Sequence, residues 1–297
     1  MQRKGGAIFV IRCIKRSLNS AFSFSSSYNQ HQIIVPISVS DTANSISPTM
    51  TLSGSGENAP KLTGFFSLPI ETRSDIYKRV LALPQSLYLF QDPGCPIEAF
   101  VPGKPSRWLA LLYVNRQISA EASAILYGRN HFVLEEVEKP PAATTTRRPS
   151  LVESFLNCIG PVNAGLLSHL CINFPATERM EGGKEGEGKQ SDSGAHEIRL
   201  REESVHILNL LQKHCAGLRI LEMLLYGSQH SHSSALLQED QLANNKFVRE
   251  VLWDINARFR AIASLNRIII RVYSGSPAPS VREFLQGLGW VVLVGGV

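Results

Sequence analysis

A few residues in this sequence have types and spacings that chemistry uses. Gly183-Lys184-Glu185-Gly186-Glu187-Gly188-Lys189 has the G-x-x-x-x-G-K spacing of a phosphate-cradling loop. The next residue, Gln190, has no hydroxyl to offer magnesium. The surrounding tract, residues 178–194, is charged and Gly-rich with no apolar strand ahead of it, so it reads as an insertion and not a nucleotide site. His206 and His214 stand on one expected helix, too far apart for the i, i+4 geometry of a metal pair. His230 and His232 have no thiol or carboxylate cluster near them in sequence. Glu71 and Glu121 are the carboxylates that a general acid–base pair would need. Both lie in amphipathic helical stretches beside basic residues, where ion pairing is the ordinary use. No G-x-S-x-G elbow occurs. The expectation is therefore a non-enzymatic chain with no catalytic, cofactor-binding or metal-ligating residue and no cofactor.

The background against which these residues sit is that of a folded chain. It has 297 residues, 43% hydrophobic and 19% charged, which is enough apolar surface for a sizeable core. Cys13, Cys95, Cys158, Cys171 and Cys215 are odd in number, widely spread and free of any C-x-x-C spacing, which argues for reduced thiols and against a disulfide framework. The apolar stretches long enough to notice, such as residues 290–294, fall far short of the ~20 residues a membrane helix needs. The formal charge is +5, and residues 1–60 carry more than half of that excess. The arginines of the last third, Arg249, Arg258, Arg260, Arg267, Arg271 and Arg282, are interleaved with apolar elements as on a solvated surface, so neither a nucleic acid nor a membrane is expected as partner.

Residues 1–60 are expected to be a disordered basic, Ser-rich tail. Ile8, Ile11, Ile14, Leu18 and Phe22 could line one face of a short basic helix, and no acid precedes Asp41. Such an N-terminus resembles a mitochondrial transit peptide; without that role the expected location is cytoplasmic or nuclear. The folded part begins near Lys61. Pro69, Glu71 and Asp75 suit a helix start and Pro84 a stop, with Ile76, Tyr77, Val80 and Leu81 as the apolar stripe. Residues 86–102 read as a hairpin or loop around Pro93-Gly94. Trp108, Leu111, Leu112, Asn115, Ile118, Ala122, Ile125 and Leu126 predict one helix that stops at Gly128, with Asn115 as a hydrogen-bonded amide on its buried face. A strand at 131–134, a loop at 139–149 and a helix at 151–158 broken by Gly160-Pro161 follow.

From there one theme recurs. Leu167-x-x-Leu170-x-Ile172-x-Phe174 is echoed by Leu218-x-x-Leu221-x-Met223-x-Leu225, by Leu265-x-x-Ile268-x-Ile270-x-Val272 and by Leu288-x-x-Val291-x-Leu293. Helical stretches precede the last three copies. Strand–helix–strand connections of that length require parallel crossovers, so the expected class is α/β, with an α+β N-terminal part. Only the last interval between copies falls within the ~20–29 residues of a leucine-rich repeat, so the repeat is irregular.

Leu68-Pro69-Ile70-Glu71-Thr72-Arg73-Ser74-Asp75-Ile76-Tyr77 resembles the L-P-x-E-I-R-x-x-I-Y opening of a large group of fungal F-box-like proteins. Residues 111–122, with Arg116-Gln117-Ile118-x-x-Glu121-Ala122, resemble their second element, and Leu126-Tyr127-x-x-Asn130-x-Phe132 the element that ends it. The resemblance implies F-box-like helices at 61–135 with an inserted hairpin. A leucine-rich-repeat-like parallel strand/helix region would follow at 136–297, with a disordered insertion at 176–196. In F-box proteins the helix opened by Leu-Pro docks on the Skp adaptor of a cullin–RING ubiquitin ligase and the following region captures a target. Carried over, Leu68, Pro69, Ile76 and Val80 would face the adaptor; the other reading is that they pack the domain's own core. Thr72 in place of the usual apolar residue and the inserted segment 84–107 depart from the pattern. A protein-binding scaffold without a ubiquitin-ligase role is the alternative function.

Overall fold

The structure is a computed structural model that describes residues 6–10, 64–92, 95–104, 108–136, 149–180, 197–226, 246–273 and 276–295. Its elements in chain order are Gly6–Val10 (β1), Ile70–Leu81 (α1), Leu87–Phe90 (β2), Glu98–Pro102 (β3), Arg116–Arg129 (α2), His131–Leu134 (β4), Leu151–Ala164 (α3), His169–Asn173 (β5), Thr177–Met180 (β6), Glu197–Leu200 (β7), Glu202–His214 (α4), Ile220–Leu225 (β8), Lys246–Arg260 (α5), Arg267–Val272 (β9), Pro279–Gly287 (α6) and Val291–Val294 (β10). Met1–Ile14 and Ile70–Val297 make one compact unit, and Lys15–Pro69 another. In the second unit residues 64–69 are described. Phe65–Ser67 form a 3-10 turn in which the Ser67 Oγ donates to the Gly64 carbonyl at 2.6 Å.

The first unit is mixed α/β. Its main sheet has the order β1-β3-β2-β4-β5-β8-β9-β10. The six strands from β2 to β10 in that order run parallel, while β3 lies antiparallel on β2 and β1 antiparallel on β3. The recurring apolar theme thus becomes neighbouring parallel strands, with Leu170 opposite Leu221 and Leu221 opposite Ile268. Strands of one sheet come from both sides of residue 135.

Each parallel strand lies next to the one before it, always on the same side. Right-handed crossovers then carry every connecting helix over one face. The helices accordingly form a single row, α1 on α2, α2 on α3, α3 on α4 and α4 on α5, with Trp253 of α5 edge-on to Phe284 of α6 at 6.3 Å. Alternation along each strand sends Phe132, Leu170, Leu221, Met223, Ile268 and Ile270 toward that row, and all six are buried. Phe132 stacks on Tyr127 of α2 at 5.7 Å and packs on Phe155 of α3 at 5.6 Å. Where the loops after α3 and α4 cross, a Cβ on Gly217 would lie 2.4 Å from the Gly165 carbonyl oxygen, so only glycine fits there.

Residues 108–126 are not one helix: Trp108–Tyr113 form a 3-10 turn and α2 starts at Arg116. Asn115 is exposed and not a core amide. Its extended backbone makes it the N-cap, and its Oδ1 accepts the Ile118 N–H at 2.9 Å. That helix passes through Gly128 and ends at Arg129. The helix opened by Leu151 resumes after Gly160, whose φ of 77° turns the chain between two helical segments. Residues 6–10 form a strand, contrary to the expected tail, because Ala7-Ile8-Phe9-Val10 is rich in strand formers and the β3 edge offers it hydrogen bonds. Thr177–Met180 and Glu197–Leu200 pair antiparallel, so the expected insertion opens on an ordered strand. Residues 183–189, Cys13, His230 and His232 lie outside the described residues.

On α1 the buried stripe is Arg73, Tyr77 and Leu81, with Ile76 and Val80 half-buried on its flank. Arg73 spans both oxygens of Glu121 on α2, Nε to Oε2 at 3.0 Å and Nη2 to Oε1 at 2.8 Å. The Tyr77 hydroxyl donates to Oε2 at 3.0 Å and Gln117 Nε2 to Oε1 at 3.0 Å. The Arg73 hydrogen bond, followed by that of Gln117, outweighs desolvation and lowers the Glu121 carboxyl to about 2. Asn130, 1% exposed, ties the far ends of the same two helices. Its Nδ2 donates to the Leu81 and Leu126 carbonyls at 2.9 and 2.8 Å, and its Oδ1 accepts the Leu83 N–H at 2.7 Å. The ordered series Arg73, Tyr77, Glu121 and Asn130 is therefore a clamp of α1 on α2.

A carboxyl whose folded pKa lies below its unfolded value adds stability above the unfolded pKa and loses it as pH falls through the folded one. Glu121→Gln is expected to lower the thermal midpoint by several degrees at pH 7. Its gap to the wild type should narrow as pH falls from 4.5 toward about 2, as followed by circular dichroism.

Candidate functional site

The faces of β4, β5, β8 and β9 turned away from the helix row carry the polar residues that the apolar theme leaves between its hydrophobic positions. Register sets their neighbours: His131 lies opposite His169, Cys171 opposite Glu222, and Glu222 opposite Ile269. The diagonal steps bring His169 to Glu222 and Glu222 to Arg271. Five polar groups from four strands converge here.

The imidazoles of His131 and His169 stack with centroids 3.8 Å apart and planes at 12°. His169 Nε2 lies 2.9 Å from Glu222 Oε1 and Arg271 Nε bonds Glu222 Oε2. An ionised carboxylate only accepts, so His169 donates through Nε2. Glu222 is 3% exposed in the middle of a parallel strand. Burial alone would raise its pKa, and this is the largest influence; the bonds from His169 and Arg271 overturn it and hold the carboxyl at about 2. The same pairing raises the Arg271 pKa.

His131 and Cys171, on β4 and β5, are neutral at pH 7. Burial, aided by His169, depresses His131 to about 4. His131 Nδ1 is 2.8 Å from the Ser86 Oγ. Its Nε2 is buried and has no hydrogen-bond partner among the described residues. Burial and the Glu222 charge push the Cys171 thiol up, so at neutral pH it is a protonated thiol and not an activated nucleophile. One ligating atom from each of His131, Cys171 and Glu222 lies within 4.8 Å of the other two. Beyond this row Tyr226 and Tyr273 stack at 5.1 Å with planes at 12°, and burial together with Glu135 raises the Tyr226 hydroxyl.

None of these five residues was singled out in sequence as a site. The one usable signal was Glu222 within Leu221-Glu222-Met223-Leu224-Leu225, an acid interrupting an apolar parallel strand. The residues that were singled out lie elsewhere. Leu68 is half-buried and Pro69 exposed in the unit Lys15–Pro69, while Ile76 and Val80 flank α1 in the other unit. His206 Nε2 lies 3.5 Å from Glu153 Oε2, an ordinary helix–helix pair. Glu71 is exposed, and Glu121 is committed to Arg73. Among the described residues no helix is long and apolar enough to cross a membrane.

Comparison with known proteins does not extend this picture: no family model, no curated protein and no solved structure matches the chain.

Removing one partner of a buried ion pair strands the other's charge. Arg271→Ala is expected to destabilise the protein by about 2–3 kcal/mol in urea unfolding, below a fully buried pair because solvent reaches the guanidinium. Arg271→Lys should recover only part of this, since Lys lacks the planar fork.

Proposed function

We propose that this chain is a non-enzymatic protein-interaction module, an F-box-like substrate receptor in which the outer flank of α1 meets a Skp-type adaptor and the strand/helix region takes the target. The observation that carries the reading is the inward use of the motif residues. Arg73, Tyr77, Glu121 and Asn130 are consumed in clamping α1 to α2. The same helix carries the half-buried Ile76 and Val80 together on one flank, and Ile70, 49% exposed, at its start. An apolar flank on a helix clamped to its neighbour is the form that helix-in-groove recognition takes. Leu68 and Pro69, which precede the helix in sequence, are the other two residues that the F-box resemblance assigns to the adaptor.

A second reading, a scaffold with no ubiquitin-ligase role, has its own support. The hairpin β2–β3 lies between α1 and α2 in sequence and belongs to the main sheet, so the N-terminal helices are tied into the α/β unit. The half-burial of Ile76 and Val80 also fits residues that pack their own unit.

The test is a pull-down of the full chain with a purified Skp-type adaptor. The wild type should bind, and Ile76→Asp, Val80→Asp, Leu68→Ala and Pro69→Ala should each weaken binding by about tenfold or more while far-ultraviolet circular dichroism stays unchanged. Binding that none of the four changes, or no binding by the wild type, removes the receptor reading. A stable partner recovered from native cells without adaptor or cullin subunits would favour the scaffold.

A further inference from the structure

We propose that His131, Cys171 and Glu222 form a binding site for a borderline-soft divalent cation of the zinc type. The donor set comprises one nitrogen, one sulfur and one oxygen, each a type that Zn2+ takes. Their ligating atoms already lie within 4.8 Å of one another. Two ligands of a tetrahedral zinc sit roughly 3.5 Å apart given Zn–N and Zn–S lengths of about 2.0 and 2.3 Å, so shifts of about an ångström close the site. The three residues stand on adjacent, hydrogen-bonded strands.

The second observation is the state of His131. Its Nε2 is buried and has no hydrogen-bond partner among the described residues, an expensive arrangement that a cation would relieve. Its Nδ1 already faces the Ser86 Oγ, the outer contact that fixes ring orientation in metal-bound histidines. The carboxylate is oriented in the same way by His169 and Arg271. Binding releases the thiol proton of Cys171 to solvent and forms an S–Zn bond. With the thiolate, the carboxylate and the Arg271 guanidinium counted, a divalent ion leaves one net positive charge. That excess directs the fourth coordination position to hydroxide or to an anionic group of a bound molecule.

Cobalt substitution tests this on the full-length chain, stripped with a chelator and titrated with Co2+ alone. The wild type should take up one equivalent with thiolate-to-cobalt charge-transfer absorption and the visible bands of a tetrahedral ion, and Zn2+ should displace it. Cys171→Ser should abolish the charge-transfer band, and Cys95→Ser, at an exposed free thiol, should keep it. His131→Gln, which retains a hydrogen-bonding group toward Ser86, should weaken affinity by about tenfold or more and covers the case in which Cys171→Ser does not fold. Absence of the band in the wild type overturns the proposal, as does a band unaffected by Cys171→Ser or by His131→Gln.

Discussion

Glu222 is a carboxylate in the middle of an apolar parallel strand, on the side of the sheet away from every described helix, and it stays ionised there. Moving such a charge out of water is among the largest penalties a fold can carry, so its partners must be in place whenever the chain is folded. They come from strands on both sides, His169 from β5 and Arg271 from β9. A slip of one residue in either pairing would turn one of Glu222's two partners to the opposite face and leave the charge half-compensated. This hydrogen-bonded triad thus specifies the register of three strands at once, and through them the alignment of the apolar faces that bury Leu170, Leu221 and Ile268.

The other organising constraint is chirality. Because the parallel strands are laid down in chain order, right-handed crossovers leave no choice of face for the helices. The row α1 to α6 follows, and with it the need for close passage between loops, met by Gly217 against Gly165. At the N-terminal end the same row is secured by polar contacts: Arg73 and Tyr77 on Glu121, and Asn130 bonded to the backbone at the ends of both α1 and α2. At the C-terminal end Trp290 donates to the buried Asn256 of α5 at 2.9 Å, and Arg260 to the Leu288 carbonyl at 2.9 Å.

The parallel sheet was legible because each strand is a short alternating apolar run separated from the next by a helical stretch. The α1–α2 clamp was half legible: the motif residues stand out in order, but their inward use is seen only when Arg73 and Glu121 are placed across two helices. Two local misreadings share a cause. Asn115 lies in phase with an apolar stripe, yet its side chain satisfies the Ile118 N–H only if its own backbone leaves the helix. Gly6–Val10 has helical spacing with the residues after it, yet pairs with a distant edge strand. The His131–His169–Cys171–Glu222–Arg271 group was not legible, because its members come from four strands and meet only through register. Each alone looks like a polar residue at an intervening strand position.

The strand register depends on Glu222 being a buried carboxylate held ionised by its neighbours. Carbon-13 NMR of the glutamate side-chain carboxyls, assigned by Glu222→Gln, follows its protonation directly as pH is lowered. The Glu222 signal is expected to keep its carboxylate position through the normal glutamate range and to titrate only near 2. A titration midpoint at or above 4.5 in the folded protein would contradict it.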